Sequence, residues 1–471
     1  MRIEVPEVIE PAESLGHVHF VGIGGAGLSA IARVMLQRGI TVSGSDVQES
    51  ATLTSLRAAG ARCSVGHDPA HLAGSDTVIA STAVRADNPE IVEARRLGLR
   101  LYPRSAGLQS LMLGRTVLAV AGTHGKTTTT SMLAIAMIEA GADPTFAIGA
   151  DVAGLGSNAR HGQGDVFIAE ADESDGAFLV YEPWGAIVTN VDADHLDNYG
   201  TLEAYQAAFT SFLDRIRPHG FLVVCVDDPG AARLAQQAAA RDIRTIAVGT
   251  AASADLRAEA FRSDGAGTSF DVLRGGEHLG TVRLSVPGRH YALDALAALA
   301  AGLETSARFD TLAAGLARYS GARRRMEYIG TAGGVRVYDS YAHHPAEIAG
   351  DLEAARSLAG EGRLVVCFQP HLVSRTRIFG VQMGEALGAA DVVVVADIYV
   401  AREDADPTVT SALILDNVPL DPAMVHAGAV LSDLPRQLHA LVRPGDLVIT
   451  LGAGDITTVA PALLDRLEGA S

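Results

Sequence analysis

Short apolar segments alternate with helix-forming segments along almost the whole chain. The apolar runs have the length of strands, as at 18–21, 77–80 and 116–121, and helical patterns follow them. Such alternation is typical of β-α-β units, in which helices join buried parallel strands. The sequence therefore predicts an α/β protein with parallel-rich sheets.

The alternation divides into three units. The first ends near Leu113, the second runs to about Tyr319, and the third opens at the basic turn 323–325. A length of 471 residues agrees with several domains, because single domains usually hold about 100 to 200 residues. Within the second unit, the glycine-rich stretch 255–286 is expected to form additional strands.

The charge balance limits the partners that this chain can bind. There are 37 basic and 55 acidic residues, for a net charge of −18. A field of this sign repels phosphate backbones and anionic lipid, so neither nucleic acid nor a membrane is an expected partner. Three widely spaced cysteines, an acidic N-terminal segment and the absence of any apolar stretch near ~20 residues favour a cytoplasmic protein without disulfides.

A glycine-rich motif, Gly22 to Gly27, follows the first strand and opens a helix. Its small residues let the backbone approach a diphosphate, and the helix N-terminus adds N–H groups and partial positive charge. Asp46 ends the next strand, where a carboxylate can accept hydrogen bonds from ribose hydroxyls. The motif indicates a dinucleotide or a nucleotide-sugar diphosphate, and a purely structural glycine turn is the alternative.

A second loop of this kind, Gly122 to Thr128, lies between another strand and helix. It is a shortened phosphate loop, because two residues rather than four separate its first glycine from the Gly-Lys pair. Its backbone N–H groups can form an anion nest, Lys126 can reach the β- and γ-phosphates, and Thr127 can hold Mg²⁺. Lys126 is the only lysine in the chain, which favours a role that a planar guanidinium cannot fill.

Acidic clusters follow the next two strands of the second unit. Glu170 to Asp175 closes one strand, and Asp192 to Asp197 closes the other. Carboxylates at these ends can face a nucleotide's metal ion, because Mg²⁺ prefers oxygen ligands. His195 can supply a nitrogen ligand to a second ion. The alternative is that these acids lie in solvated turns, but the phosphate loop that precedes them favours a metal site.

Histidines and arginines follow two strands of the third unit. Tyr341 to Pro345 comes after the first strand, and Gln369 to Arg377 comes after the second. Both segments stand at carboxyl ends of predicted parallel strands, where open α/β sheets bind ligands. These groups suit a carboxylate or a phosphate, whereas the alternative for His343 and His344 is a helix-entry turn.

Taken together, these strings resemble the Mur ligases over nearly the whole chain. The phosphate loop is common to that family, while the glycine motif and the strings Tyr341 to Pro345 and Gln369 to His371 are similar to its alanine-adding member. The resemblance implies three domains. They are a Rossmann-like domain for the UDP part over 1–113, a central P-loop ATPase domain over 114–320, and a Rossmann-like amino-acid domain over 321–471.

The resemblance also implies a reaction in peptidoglycan precursor synthesis. ATP phosphorylates the lactyl carboxylate of UDP-N-acetylmuramate, and the amine of L-alanine attacks the resulting acyl phosphate. Mg²⁺ is the implied cofactor. The implied partners are the three substrates, and we expect a monomer or a homodimer.

The resemblance assigns roles to individual residues. At the ATP site it implies Gly122, Thr123, His124, Gly125, Lys126, Thr127, Thr128, His290, Tyr291 and Asp294. As catalytic residues it implies Lys126, Glu170, His195, Arg325 and Asp339, with Thr127, Glu170 and His195 as metal ligands. For the UDP substrate it implies Gly22, Gly24, Gly25, Ala26, Gly27, Asp46 and Ser81, and for alanine and the muramyl carboxylate His344, His371 and Arg375.

Several positions depart from the family pattern. Tyr291 and Asp294 stand where asparagines usually lie beside adenine, and Leu372 stands where an arginine follows Pro-His. Tyrosine offers one hydroxyl and a ring face, so we expect Tyr291 to stack or pack against the base. Leu372 removes a possible partner for the alanine carboxylate. Ser340 replaces an aspartate, a mild change that other family members share.

Other functions fit parts of the sequence. An NAD(P)-dependent oxidoreductase fused to an ATP-binding module is suggested by Gly22 to Gly27 and Asp46 alone. A non-catalytic ATP-binding protein is disfavoured by the combination of Lys126, Glu170 and His195. Within the family, a recycling ligase that attaches a whole tripeptide has a similar layout.

The sole lysine gives the first prediction. Lys126→Arg should lose nearly as much activity as Lys126→Ala, because a guanidinium fork cannot occupy a site shaped for a compact ammonium during γ-phosphoryl transfer. Circular dichroism should show that both variants fold. Steady-state phosphate release measures the effect, and near-normal turnover of Lys126→Arg would contradict the assigned role.

Overall fold

The computed structural model describes residues 3–81, 84–263, 267–401 and 403–469, with every side chain in these ranges except that of Asp197. The described residues form three sheets flanked by helices. By its contacts the chain divides into two compact units. One unit holds residues up to 259 with 271–282 and 293–318, and the other holds 260–270, 283–292 and the residues from 319 onward.

The first sheet is wholly parallel, with strand order β3-β2-β1-β4-β5. Strand β1 is central and fully buried, as expected for a sheet covered on both faces. Its strands are β1 Val18–Val21, β2 Val42–Asp46, β3 Arg62–Val65, β4 Thr77–Ala80 and β5 Arg100–Pro103, and its helices are α1 Ala26–Gln37, α2 Ala51–Ala58, α3 Pro89–Leu97 and α4 Arg104–Met112.

The second sheet has ten strands, one of which leads directly into the phosphate loop. Its elements in chain order are β6 Thr116–Ala121, α5 Lys126–Glu139, β7 Thr145–Ala147, β8 Ala159–Arg160, β9 Val166–Glu170, β10 Gly185–Val188, α6 Leu196–Tyr199, α7 Leu202–Leu213, β11 Phe221–Cys225, α8 Pro229–Ala239, β12 Arg244–Gly249, β13 Leu256–Ser263, β14 Thr268–Arg274, β15 Glu277–Leu284, α9 Arg289–Glu304 and α10 Phe309–Leu316. The order is β15-β14-β13-β12-β11-β10-β6-β9-β7-β8. The additional strands predicted for 255–286 are therefore present as β13 to β15.

Strand β6 runs parallel to β9 on one side and to β10 on the other. Parallel neighbours end at the same edge of a sheet, so the segments that follow these three strands meet there. Buried aromatic rings pack nearby in the chain, where the rings of Phe178 and Phe212 stack at 4.8 Å and Phe209 meets Phe178 edge-on at 5.3 Å. This packing ties the segment after the site acids to α7.

The third sheet has six strands in the order β16-β17-β21-β18-β19-β20. All neighbouring pairs are parallel except the β16–β17 hairpin. Its strands are β16 Glu327–Ala332, β17 Val335–Ser340, β18 Leu364–Phe368, β19 Val392–Val395, β20 Val425–Ala427 and β21 Leu447–Leu451, and its helices are α11 Pro345–Ala359, α12 Val373–Leu387, α13 Ala412–Leu415, α14 Leu434–Leu441 and α15 Val459–Gly469. Among the described residues, no helix is both long and apolar enough to cross a bilayer.

Candidate active site

The phosphate loop turns sharply between β6 and α5. Gly122 has φ +133° and Gly125 has φ +81°, conformations that side-chain-bearing residues rarely adopt. A Cβ atom on Gly122 would lie 2.0 Å from Thr189 Oγ1, and one on Gly125 would lie 2.5 Å from Asp294 Oδ1. Both glycines are therefore required by backbone conformation and by space.

The first turn of α5 follows this loop directly and presents its backbone N–H groups there. Gly125 is the N-cap residue, and no side chain accepts a hydrogen bond from the helix start. The uncapped N–H groups and the helix dipole of a 14-residue helix favour an anion at this end. The loop itself is held by His124, whose N–H donates to Asn190 Oδ1 at 2.8 Å.

The Lys126 ammonium lies inside the loop. Its Nζ donates to the carbonyl oxygens of Gly122 at 2.7 Å and Thr123 at 3.0 Å, and to Glu173 Oε1 at 2.8 Å. Burial opposes the charge, but the carboxylates of Glu173 and Asp172 outweigh it and raise the pKa of Lys126. The ammonium is therefore charged at neutral pH.

Glu173 is the buried partner of this ammonium. Its side chain has no solvent exposure, and burial raises its pKa to about 7, against the attraction of Lys126. Tyr205 donates from its hydroxyl to Oε1 at 3.5 Å, whereas Oε2 has no hydrogen-bond partner among the described residues. An unsatisfied buried oxygen beside a phosphate loop is suited to a cation or to water.

Glu170 lies at the end of β9, facing the first turn of α5. Thr127 donates from Oγ1 to Glu170 Oε1 at 3.2 Å, and the N–H of Gly149 donates to Oε2 at 2.8 Å. One hydroxyl and two carboxylates, counting Glu173, form the hard oxygen donor set that Mg²⁺ prefers. The unpartnered Oε2 of Glu173 agrees with a cation at this place, so the residues present fit Mg²⁺.

His195 reaches the same group of acids. It precedes α6 with φ +53°, and its N–H donates to Asp194 Oδ1 at 2.7 Å. Its Nε2 lies 3.6 Å from Glu173 Oε1 and 3.6 Å from Asp194 Oδ2. The structure thus brings Lys126, Thr127, Glu170 and His195 to one group of acids, and their roles stay predictions.

The glycine motif of the first sheet forms a similar turn between β1 and α1. Gly22 has φ +85° and faces Ser81, because a Cβ atom on Gly22 would lie 3.5 Å from Ser81 Cβ. Asp46 Oδ2 accepts a hydrogen bond from the Gly24 N–H at 2.8 Å. Gly25 caps α1 without any side-chain hydrogen bond, which leaves the start of this helix suited to an anion.

The predicted acceptor residues lie after two strands of the third sheet, His371 and Arg375 after β18 and His344 after β17. The His371 ring lies parallel to the Tyr399 ring at 5.8 Å, and its Nδ1 lies 3.2 Å from an Arg375 nitrogen. His343 approaches the His371 ring at 5.9 Å. His344 is buried just before α11, with its ring against Phe379 at 4.9 Å.

Asp339 and Arg325, both predicted as catalytic residues, have different partners in the structure. Its carboxylate is fully buried and lies 3.3 Å from Arg324 Nε, and it accepts hydrogen bonds from Thr450 at 2.6 Å and Thr457 at 2.7 Å. Arg325 instead lies 3.6 Å from Glu347. The basic turn therefore splits into one arginine that anchors the third sheet and one that faces α11.

Three residues predicted for the ATP site occupy the start of α9. His290 Nε2 lies 3.7 Å from Asp351, and burial, with the charge of Arg325, lowers the pKa of His290 to about 4. Tyr291 is 2% exposed and its ring meets the His290 ring at 4.2 Å. Asp294 lies against Gly125 of the phosphate loop. Stacking of Tyr291 on a base stays a prediction.

Comparison with known proteins places this geometry in a family. Residues 17–116 match the model "Mur ligase family, catalytic domain", 120–302 match "Mur ligase middle domain", and 324–454 match "Mur ligase, glutamate ligase domain". A UDP-N-acetylmuramate–L-alanine ligase of a Nocardioides species is 59% identical over 469 residues, covering 100% of both chains. The chain belongs to the Mur ligase family.

Solved structures of other Mur ligases share the fold. The UDP-N-acetylmuramate-alanine ligase of Thermotoga maritima matches with a TM-score of 0.81 and 29% identity, covering 97% of this chain and 100% of the other. A murein peptide ligase of Psychrobacter arcticus matches with a TM-score of 0.69 and 26% identity, covering 96% and 99%. The predicted fold class is confirmed, whereas the boundaries after residues 113 and 320 stay predictions.

Sequence reasoning missed some residues of this Mur ligase site. Tyr205 on α7 hydrogen-bonds Thr123 Oγ1 at 2.9 Å inside the loop, and Arg324 takes the position beside Asp339. Arg104 donates to Asp172 at 3.1 Å. Tyr205 and Arg104 lie in none of the strings that carry chemistry, so local pattern gave no signal for them. Arg324 belongs to the basic turn 323–325, where the family resemblance points to Arg325 instead.

The buried carboxyl of Glu173 gives a prediction about pH. Its pKa rises from an ordinary 4.5 to about 7, so between these values the folded chain holds a proton that the unfolded chain has released. The free energy of unfolding should therefore fall as pH rises through this interval. Glu173→Gln should flatten that dependence, as measured by denaturant unfolding at a series of pH values.

The matched control is Glu203→Gln, which alters an exposed glutamate on α7. Its stability should follow the wild-type pH dependence. Parallel curves for wild type and Glu173→Gln would contradict the assigned protonation of Glu173.

Proposed function

We propose that this chain is the ligase that joins L-alanine to the lactyl carboxylate of UDP-N-acetylmuramate with hydrolysis of ATP. The observation that carries the proposal is the convergence of Lys126, Thr127, Glu170 and Glu173 at the end of β6. The full-length relative at 59% identity bears that name. The product is an early peptidoglycan precursor, which connects the enzyme with cell-wall synthesis, cell shape and division.

The chemistry has two steps. A carboxylate oxygen of the substrate attacks the γ-phosphorus of ATP, which forms an acyl phosphate and releases ADP. The amine of L-alanine then attacks the acyl carbon, so that an amide bond forms and inorganic phosphate leaves. Lys126 is placed to neutralise charge on the transferred phosphoryl group, and the uncapped start of α5 binds the remaining phosphates.

Mg²⁺ bound with ATP supplies charge neutralisation at the β- and γ-phosphate oxygens. We assign Thr127 and Glu170 as residues that would hold this ion and His195 as a ligand of a second ion. We add Glu173, because its buried Oε2 has no partner among the described residues. Glu173 also holds the ammonium of Lys126 within the loop.

The acceptor is assigned to the third sheet. We propose that His344, His371 and Arg375 contact alanine or the muramyl carboxylate, and that Arg325 and Asp339 organise the approach to ATP. Leu372 is 2% exposed and has φ +71°, so this side chain faces the protein interior. Leu372 therefore cannot supply the charged hydrogen bonds that an arginine would donate from this position.

The remaining assignments concern nucleotides and location. Gly22, Gly24, Gly25, Ala26, Gly27, Asp46 and Ser81 are proposed for the UDP part, and His290, Tyr291 and Asp294 for the adenine side of the ATP site. We propose a cytoplasmic enzyme, because ATP is its co-substrate. A monomer or a homodimer remains our expectation.

A single assay tests the proposed function against its alternatives. Phosphate release is measured with ATP, Mg²⁺ and UDP-N-acetylmuramate while the acceptor is L-alanine, glycine, L-serine or the tripeptide. We expect the highest kcat/KM with L-alanine. Preference for the tripeptide would identify a recycling ligase, as the murein peptide ligase neighbour at 26% identity would suggest, and turnover of NAD(P)H would identify an oxidoreductase.

The metal assignment gives a separate prediction. Glu170→Gln keeps the side-chain shape and removes an anionic oxygen, so it should raise the Mg²⁺ concentration required for half-maximal activity by about tenfold or more. A Mg²⁺ titration of phosphate release measures this shift. Glu182→Gln, which alters an exposed partner of Arg215, is the control, and an unchanged titration of Glu170→Gln would transfer the ligand role to Glu173 or Asp172.

A further inference from the structure

Arg104 stands at the start of α4, beside the acids that follow β9. Its Nη2 donates to Asp172 Oδ2 at 3.1 Å and lies 4.0 Å from Asp175 Oδ1. The side chain is 17% exposed. The Arg104 guanidinium therefore faces the same end of the second sheet as Glu170 and Lys126.

The stem of Arg104 also lies on the glycine motif of the first sheet. A Cβ atom on Gly27 would be 2.9 Å from Arg104 Cδ and 3.5 Å from its Nη1. Gly27 therefore makes room for this side chain at the first turn of α1. Asn158 reaches the same turn, where its Nδ2 donates to the Ala26 carbonyl at 3.0 Å. Arg104 thus contacts both the glycine motif and the acids near the proposed metal site.

The stability of α4 does not explain why an arginine stands at its first residue. A cation at the first residue of a helix opposes the helix dipole, and the first turn of α4 carries no acidic residue. Asp172 and Asp175 compensate the charge from outside the helix.

The surroundings of Arg104 hold unused hydrogen-bonding capacity. Its single hydrogen bond among the described residues uses one terminal nitrogen, which leaves the other N–H groups of the fork for a ligand. The Tyr181 hydroxyl, which is electrostatically coupled to Arg104, is fully buried and has no hydrogen-bond partner among the described residues. Both groups are donors suited to an oxyanion.

We infer that Arg104 binds an oxyanion of the nucleotide-sugar substrate between the glycine motif and the acids after β9. This inference rests on the proposed function. The substrate has two such groups, the diphosphate and the lactyl carboxylate, and the planar fork of arginine matches either one. Asp172 and Asp175 hold the fork in place. Arg104 thereby positions the substrate between the glycine motif and the phosphate loop.

The test measures binding of three probes to the full chain by isothermal titration calorimetry. The probes are UDP-N-acetylmuramate, UDP-N-acetylglucosamine, which lacks the carboxylate, and ATP with Mg²⁺. Arg104→Gln should weaken UDP-N-acetylmuramate binding by about tenfold or more, as expected when a charge-assisted hydrogen bond is removed. ATP should bind within about threefold of wild type, which shows that the variant is folded.

The second probe identifies the bound group. If Arg104→Gln weakens UDP-N-acetylglucosamine binding equally, Arg104 holds the diphosphate, and if only UDP-N-acetylmuramate binding weakens, it holds the carboxylate. Arg104→Lys should recover part of the affinity, because it restores the charge without the fork. Arg215→Gln, which breaks an exposed pair with Glu182, should bind all three probes as wild type does.

Failure of this inference and failure of the proposed function differ in their results. If the wild-type chain does not bind UDP-N-acetylmuramate, the proposed function is wrong. If wild type binds it and Arg104→Gln binds it equally well, only the role of Arg104 is wrong. An equal loss of ATP and nucleotide-sugar binding in Arg104→Gln would also overturn the inference, because it indicates a merely structural residue.

Discussion

The buried ammonium of Lys126 is the constraint on which the rest of the candidate active site depends. A charge taken out of water is costly unless hydrogen bonds and an opposite charge compensate it. Here two loop carbonyls and Glu173 do so. The same contacts hold the loop against the start of α5, while Thr189 and Asp294 leave no room for a side chain on Gly122 or Gly125. The buried ammonium thus requires both the loop carbonyls and the buried acid.

Parallel strand order explains why three separate segments meet at this lysine. Strand β6 lies between β9 and β10, so the loop, the acids that begin at Glu170 and the segment ending at His195 emerge side by side. The same rule holds in the first sheet, where β1 lies between β2 and β4 and brings Asp46 and Ser81 to the glycine motif. In each case the chemistry stands where neighbouring strands leave a sheet together.

Glu173 and Asp172 have different partners, and their pKa values shift in opposite directions. Glu173 is enclosed with an unsatisfied oxygen, and its pKa rises to about 7, whereas Asp172 stays ionised beside two cations. Two carboxyl groups with opposite shifts in pKa thus stand one residue apart on the same loop.

Much of this protein was determined by local sequence. The alternation of strands and helices, the glycines of both loops, the sole lysine and the acids after β9 are readable because turns, anion nests and metal ligands need particular residues in sequence order. Tertiary structure alone decided that Asp339 pairs with Arg324, that Tyr205 reaches into the phosphate loop, and that Arg104 lies on Gly27. These contacts join residues far apart in the chain, and their geometry follows from strand order and helix packing, which no local pattern encodes.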